Sequence, residues 1–259
     1  MLHLRLIDLG RLAVYEHLPI DPIAFPVSDM RDHVWVGVPI AGGLRRLGDS
    51  DQVRAALIAD IVMARCPVTV GEYGEFVRQT GYGASDSPLG PIDSARLGEH
   101  TMSRALLDSN HLADHPMTRV TITDAQHYAD WLGAKQGLPL RLPTSDEWEA
   151  VARHPDDRAF PWGEYPDSRL CNAIDSGHGG TSAVMTYPDG VNGVGLFDLA
   201  GNVWEWTSTV APDSGWHHMR GGCYLDWGWD LRLTNVLEAH PARPMATTGF
   251  RLCHSVFDL

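Results

Sequence analysis

The sequence predicts one soluble, loop-rich domain that mixes short strands with short helices, and three observations carry that reading. The chain has 259 residues, 44% of them hydrophobic, which is within the reach of a single core and enough to fill it. Two capping boxes, Thr69 with Glu72 and Thr144 with Glu147, each open a stretch whose apolar residues recur at helical spacing. Between them, Tyr82 to His115 holds Gly, Ser, Asp and Pro with scattered apolar residues and no sustained period, which is a long irregular connection.

Taken in order, Met1 to Arg31 carries Pro19, Pro22 and Pro26, which break any helix and predict an extended arm over residues 1–32, with the domain over 33–259. His33 to Val38 alternates and is rich in β-branched and aromatic residues, predicting a strand that Gly42-Gly43 turns. After Thr69, the residues Val70, Tyr73, Phe76 and Val77 share one helical face. Val120 to Thr123 reads as a short strand, with Thr123 capping a helix that buries Ala125, Tyr128, Ala129 and Leu132 and ends at Gly137 and Pro139. Trp148 and Ala152 are expected in the core on the helix that Thr144 opens.

The most informative stretch is Gly193 to Trp206. Trp204 and Trp206 alternate on one side of a strand, with Val203 and Glu205 on the other. Gly201-Asn202 before it is a turn signal, since both tolerate left-handed backbone. Asp198 and Glu205 flank that corner. With freed carbonyls they would make an oxygen cage suited to calcium, the plainer alternative being two solvated acids beside a turn.

This run, with Asn192 before it, resembles the Asn-Gly-x-Gly-Leu-(Tyr/Phe)-(Asp/Asn)-(Met/Ile/Leu)-x-Gly-Asn-x-Trp-Glu-Trp signature of the formylglycine-generating enzyme, or sulfatase-modifying-factor, family. Arg141-Leu-Pro-Thr-Ser-Asp-Glu-Trp-Glu149, Phe160-Pro-Trp-Gly163, Arg220-Gly-Gly222 and Gly249-Phe-Arg-Leu252 follow the same family in order. The resemblance implies an α+β, C type lectin-like fold. It also implies two structural calcium sites. One would use the Asp198 and Glu205 side chains with the Gly201 and Val203 carbonyls; the other would use Asn172, the Ala173 carbonyl and a downstream acid, for which Asp175 comes one residue early.

The decisive departure follows Gly222. The family reads Gly-Gly-Ser-Tyr-x-Cys-x4-Cys, its two cysteines binding copper(I) and handling the substrate thiol. Here Cys223 stands at the serine position, Asp226 at the first cysteine and Leu231 at the second. Thiolates suit copper(I), whereas one carboxylate and one leucine do not, so the cysteine-oxidising mechanism is not carried over and no redox metal is assigned. Cys223 and Asp226 are the candidate catalytic residues, although a buried structural thiol is the favoured reading of Cys223. Trp227, Trp229, Asp230, His240 and Arg243 are the candidate ligand-binding residues, with at least one of the two tryptophans and Asp226 expected at a groove, the plainer alternative being core tryptophans and a solvated rim of charges.

A net charge of −13 opposes a nucleic-acid partner. No run approaches the roughly 18 apolar residues of a membrane span, and Met1-Leu-His-Leu-Arg lacks an export signal, so a cytoplasmic protein is expected. Four cysteines without a Cys-x-x-Cys pair indicate neither a zinc ribbon nor a disulfide framework. Two functions fit: an oxygen-dependent oxidoreductase modifying a peptide or small metabolite, and a catalytically silent lectin-like module that binds a ligand or protein. The sequence leaves the oligomeric state open.

Overall fold

A computed structural model describes residues 35–49, 53–83 and 110–256, so the N-terminal arm and most of the long connection lie outside the described residues. Strand β1 (Gly37–Ile40) pairs antiparallel with β4 (Ile61–Ala64), which pairs in turn with β9 (Cys253–Ser255). The two ends of the described chain therefore share one sheet. Of the expected strand at His33 to Val38, His33 and Val34 lie outside the described residues; Trp35 and Val36 precede β1, which starts at Gly37, opposite the last residue of its partner, Ala64. Between β1 and β4, β2 (Gly43–Leu47) and β3 (Arg54–Ile58) form a separate hairpin.

Helix α1 (Val70–Thr80) begins at the Thr69–Glu72 capping box and buries Val70, Tyr73 and Phe76, with Val77 partly buried. Helix α2 (Ile122–Gln136) corrects the reading of Val120 to Thr123 as a strand. Thr121, not Thr123, is the cap, because the carboxylate three residues on, Asp124, reaches back to the Thr121 N–H at 2.7 Å and completes a capping box. Ala125, Tyr128, Ala129 and Leu132 are buried, and Gly137 ends the helix in left-handed conformation. Helix α3 (Ser145–Ala152) starts from Thr144 and Glu147 and buries Trp148 and Ala152.

The second sheet has the order β7-β6-β5-β8, from β5 (Trp204–Val210), β6 (His217–Arg220), β7 (Leu237–Ala239) and β8 (Thr248–Gly249), with β8 parallel to β5. Trp204 and Trp206 pack in the larger core with Tyr73, Phe76, Tyr128 and Phe250, while Trp148 centres a second core with Leu196, Leu199 and Leu233. The outcome is an α+β, loop-rich single domain.

Residues 153–203 carry no strand or α-helix, so side chains must satisfy the backbone there. Asn192 does so at one corner, donating to Val151 O at 2.8 Å and accepting from Leu196 N at 3.0 Å. Two buried carboxylates fasten these loops to the sheets. Glu205 accepts from Arg251 Nε and Nη2, both at 2.6 Å, and from Trp148 Nε1 at 2.7 Å, with Glu205 and Arg251 fully buried. Glu149 accepts from Arg153 and from Arg220, both at 2.9 Å, and from Gly48 N at 2.6 Å. Removing one member of a buried pair strands its partner's charge. Arg251→Met is therefore expected to cost about 3 to 5 kcal/mol in urea unfolding; a loss below about 1 kcal/mol, the ordinary range of an exposed pair, would contradict this assignment.

Candidate functional site

The chain leaves β6 through Gly221 and Gly222, at φ 96° and 73°. A Cβ on Gly222 would lie 2.4 Å from Leu231 Cδ2, so only glycine lets the backbone pack against that leucine. The next residues form a tight turn. Asp226 Oδ2 accepts from Cys223 N at 2.8 Å, Asp226 N donates to Cys223 O at 3.0 Å, and Leu225 N points at Cys223 Sγ at 3.4 Å. Cys223 is thereby buried in the larger core, and burial, with the neighbouring Asp226, pushes its thiol up to about 12. Asp226 spends one carboxylate oxygen on the turn.

That turn throws both tryptophans outward, Trp227 61% and Trp229 49% exposed. A short 3₁₀ turn, Gly228–Leu231, then buries Leu231, and Asn235 clamps it by donating to the carbonyls of Trp229 and Asp230. Beside this segment lies a pocket of about 170 Å³ walled by Phe160, Trp162, Cys171, Ala173, Gly228 and Leu231, with Asp167 and Asp175 also lining it. Phe160 and Trp162 stack with centroids 5.5 Å apart and 13° between planes, Trp229 tilts against Phe160 at 5.6 Å, and Tyr165 meets Trp229 edge-on at 6.4 Å. Asp167 is paired with Arg169, whose side chain runs into solvent. Burial raises the Cys171 thiol to about 12, so that wall is uncharged at neutral pH.

The structure divides the sequence candidates. Trp229 stands at the pocket through Phe160; Trp227 and Asp230 are exposed on the same segment. His240 and Arg243 are exposed but do not line the pocket, and His240 packs edge-on to Trp216 at 6.1 Å, beside β6. Phe160, Trp162, Asp167 and Cys171 had no assigned role in the sequence reading. The Phe-Pro-Trp-Gly motif was the signal that would have found the first two.

The corner ahead of β5 is tightly built. Asp198, Asn202 and Met185 all have left-handed backbone, at φ 56°, 62° and 64°, and such strain collects at ligand-holding sites. A Cβ on Gly201 would lie 2.3 Å from Asn172 O, which accepts from Asn202 N at 2.8 Å. Asp198 accepts from Met185 N at 2.9 Å and Asn202 Nδ2 at 3.1 Å. It is in no ion pair among the described residues, and burial, reinforced by Glu205, raises its carboxyl above the ordinary range. Ser182 Oγ, whose backbone is bonded to Asn202, is buried without a partner among the described residues. An unmatched buried carboxylate beside an orphaned hydroxyl fits a hard cation at Asp198. Glu205 is different, because Arg251 already matches its charge. The second set fits poorly: the single Ser176 O–H is shared between Asn172 Oδ1 at 2.9 Å and the Ala173 carbonyl at 2.7 Å, that carbonyl also accepts from Ser176 N at 3.0 Å, and Asp175 is exposed and lines the pocket. Among the described residues no group of three or more His, Cys, Asp or Glu side chains is placed to hold a metal.

The sequence matches the family described as Sulfatase-modifying factor enzyme 1-like domain over residues 26–256. It is 30% identical over 227 residues to a formylglycine-generating enzyme of Mycobacterium tuberculosis, covering 66% of this chain and 73% of that protein. It is 29% identical over 211 residues to the serine/threonine-protein kinase Pkn1 of Chlamydia trachomatis, covering 73% of this chain but only 32% of that one. Among solved structures, PvdO from Pseudomonas aeruginosa superposes with a TM-score of 0.68 at 23% identity, covering 85% of this chain and 94% of that one, which shows a shared fold.

All four cysteines are unpaired, and burial raises each thiol well above the usual range near 8.5. Native protein at pH 8 is therefore expected to react with a thiol-specific reagent at least tenfold more slowly per cysteine than the unfolded chain; a fast native phase of one thiol would contradict this placement.

Proposed function

The chain belongs to the sulfatase-modifying factor enzyme 1-like family, and within that family we propose a divergent member that takes a small-molecule or peptide ligand in the pocket beside Trp229 and does not oxidise cysteine by the formylglycine-generating route. The observation that carries this reading is Leu231. It stands where the family pattern has its second cysteine, and it presents an aliphatic wall to the pocket. Asp226, at the first cysteine position, is committed to the turn. Neither offers the thiolate that holds copper(I).

Oxygen-dependent oxidation of the bound ligand is the activity that family membership favours. The competing reading, a catalytically silent lectin-like binding module, is favoured by the burial of Cys171, Cys223 and Cys253. A cytoplasmic setting accords with four unpaired cysteines; among the described residues no helix is long and apolar enough to cross a membrane. Purified protein, with or without copper, is expected to leave a Cys-x-Pro-x-Arg sulfatase peptide at its starting mass, and conversion to formylglycine would overturn the proposal. Oxygen uptake with a mass change in a ligand that quenches the pocket tryptophans identifies the oxidoreductase. Return of that ligand unchanged identifies the binding module.

We also propose a structural calcium ion at the corner ahead of β5, held by Asp198 with the Gly201 and Val203 carbonyls, Glu205 acting from behind through Arg251. Calcium there would neutralise the buried Asp198 charge and keep the three left-handed residues in place. A ligand bound only to the native state adds roughly 2.7 kcal/mol at a hundred times its dissociation constant. Chelation is expected to lower Tm in the parent and not in Asp198→Asn; an equal calcium response in both would remove calcium from this corner.

A further inference from the structure

The pocket beside Trp229 has a charge balance that the family reading does not use. Two carboxylates, Asp167 and Asp175, line it, and no Lys, Arg or His does. Asp167 is matched from outside by Arg169 at 2.6 Å, but Asp175 is in no ion pair among the described residues. The same lining carries two aromatic rings, Phe160 stacked on Trp162, and Trp229 tilts against Phe160 from beside the pocket. A ring face carries the negative end of the aromatic quadrupole and attracts a cation, more so where water is excluded. The site already shows this preference, because the Arg232 guanidinium settles 5.9 Å from the Trp229 centroid.

Size narrows the ligand further. A pocket of about 170 Å³ is close to the roughly 150 Å³ apolar cavity that accepts benzene, so it admits a compact group of several heavy atoms. Leu231, Ala173 and Cys171 add aliphatic and sulfur-bearing surface to the same lining, which suits apolar substituents better than the shell of water that a primary ammonium keeps. A bulky cation with apolar substituents meets both the rings and this surface. The net charge of −13 draws such a cation toward the molecule at long range.

We propose that this pocket binds the alkylated ammonium end of its ligand, with Phe160 and Trp162 as the aromatic walls, Trp229 backing Phe160, and Asp175 as the counter-charge. The inference rests on the pocket being the ligand site. It adds the chemical class of what enters.

The test is a tryptophan-fluorescence titration of the full chain at constant ionic strength with choline, its neutral carbon isostere 3,3-dimethylbutan-1-ol, and phenol as a neutral aromatic. Choline is expected to bind at least tenfold more tightly than the isostere. Asp175→Asn, an exposed position, should weaken choline at least threefold while leaving the isostere and Tm unchanged, and Trp162→Phe should weaken choline with a smaller effect on phenol. Equal binding of choline and the isostere, or an indifferent Asp175→Asn, overturns the ammonium assignment. Binding of phenol without choline overturns it too but leaves the pocket as the ligand site, whereas failure of all three probes removes both.

Discussion

The buried contact of Glu205 with Arg251 and Trp148 is the constraint on which the remaining structure depends. It joins three stretches far apart in sequence: α3, the start of β5 and the chain running into β9. Arg251 also donates to the Phe197 carbonyl at 2.8 Å and the Ala64 carbonyl at 3.2 Å, so one guanidinium fixes the approach to β5 and the exit from β4. A pair with no solvent access has little room to rearrange, since any shift leaves a charge unmatched in a medium that does not screen it. The corner from Asp198 to Asn202 inherits this rigidity and can hold three left-handed residues in place.

The second node, Glu149 with Arg153 and Arg220, holds the segment beside the pocket. Arg220 also donates to the Thr234 carbonyl at 2.9 Å, which pins the chain just beyond Leu231. The segment from Gly221 to Leu231 is thus held at both ends, and the double glycine and the Cys223–Asp226 turn decide what it shows. Leucine goes inward and tryptophan outward. Loops held on such a frame are where binding residues collect, because loop variation changes the site without disturbing the core.

Family membership and local chemistry pull in different directions, and the pocket reconciles them. The scaffold motifs survive because each serves the frame: the Trp-Glu-Trp run supplies Glu205, the Gly-Phe-Arg run supplies Arg251, and the Arg-Gly-Gly run supplies Arg220 and the glycine turn. Where the family pattern places two thiols, this chain has a turn-capping carboxylate and an aliphatic wall, and the pocket chemistry proposed above rests instead on aromatic rings and Asp175.

The sequence by itself determined the elements whose signals are local. The capping boxes at Thr69 and Thr144 set helix starts because each hydrogen-bonds within four residues, and the helical faces followed from spacing. The same reasoning misplaced the start of α2, where an aspartate did the work expected of a glutamate. An outward tryptophan was legible as an expectation through the family resemblance of the stretch that holds Trp227 and Trp229, and both are exposed. Only the tertiary structure decided that Glu205 faces an arginine 46 residues on, that Asp175 lines a pocket with Phe160 and Trp162, and that His240 and Arg243 do not line it. These are contacts between segments remote in the chain, and a charge in a sequence carries no mark of which buried partner will neutralise it.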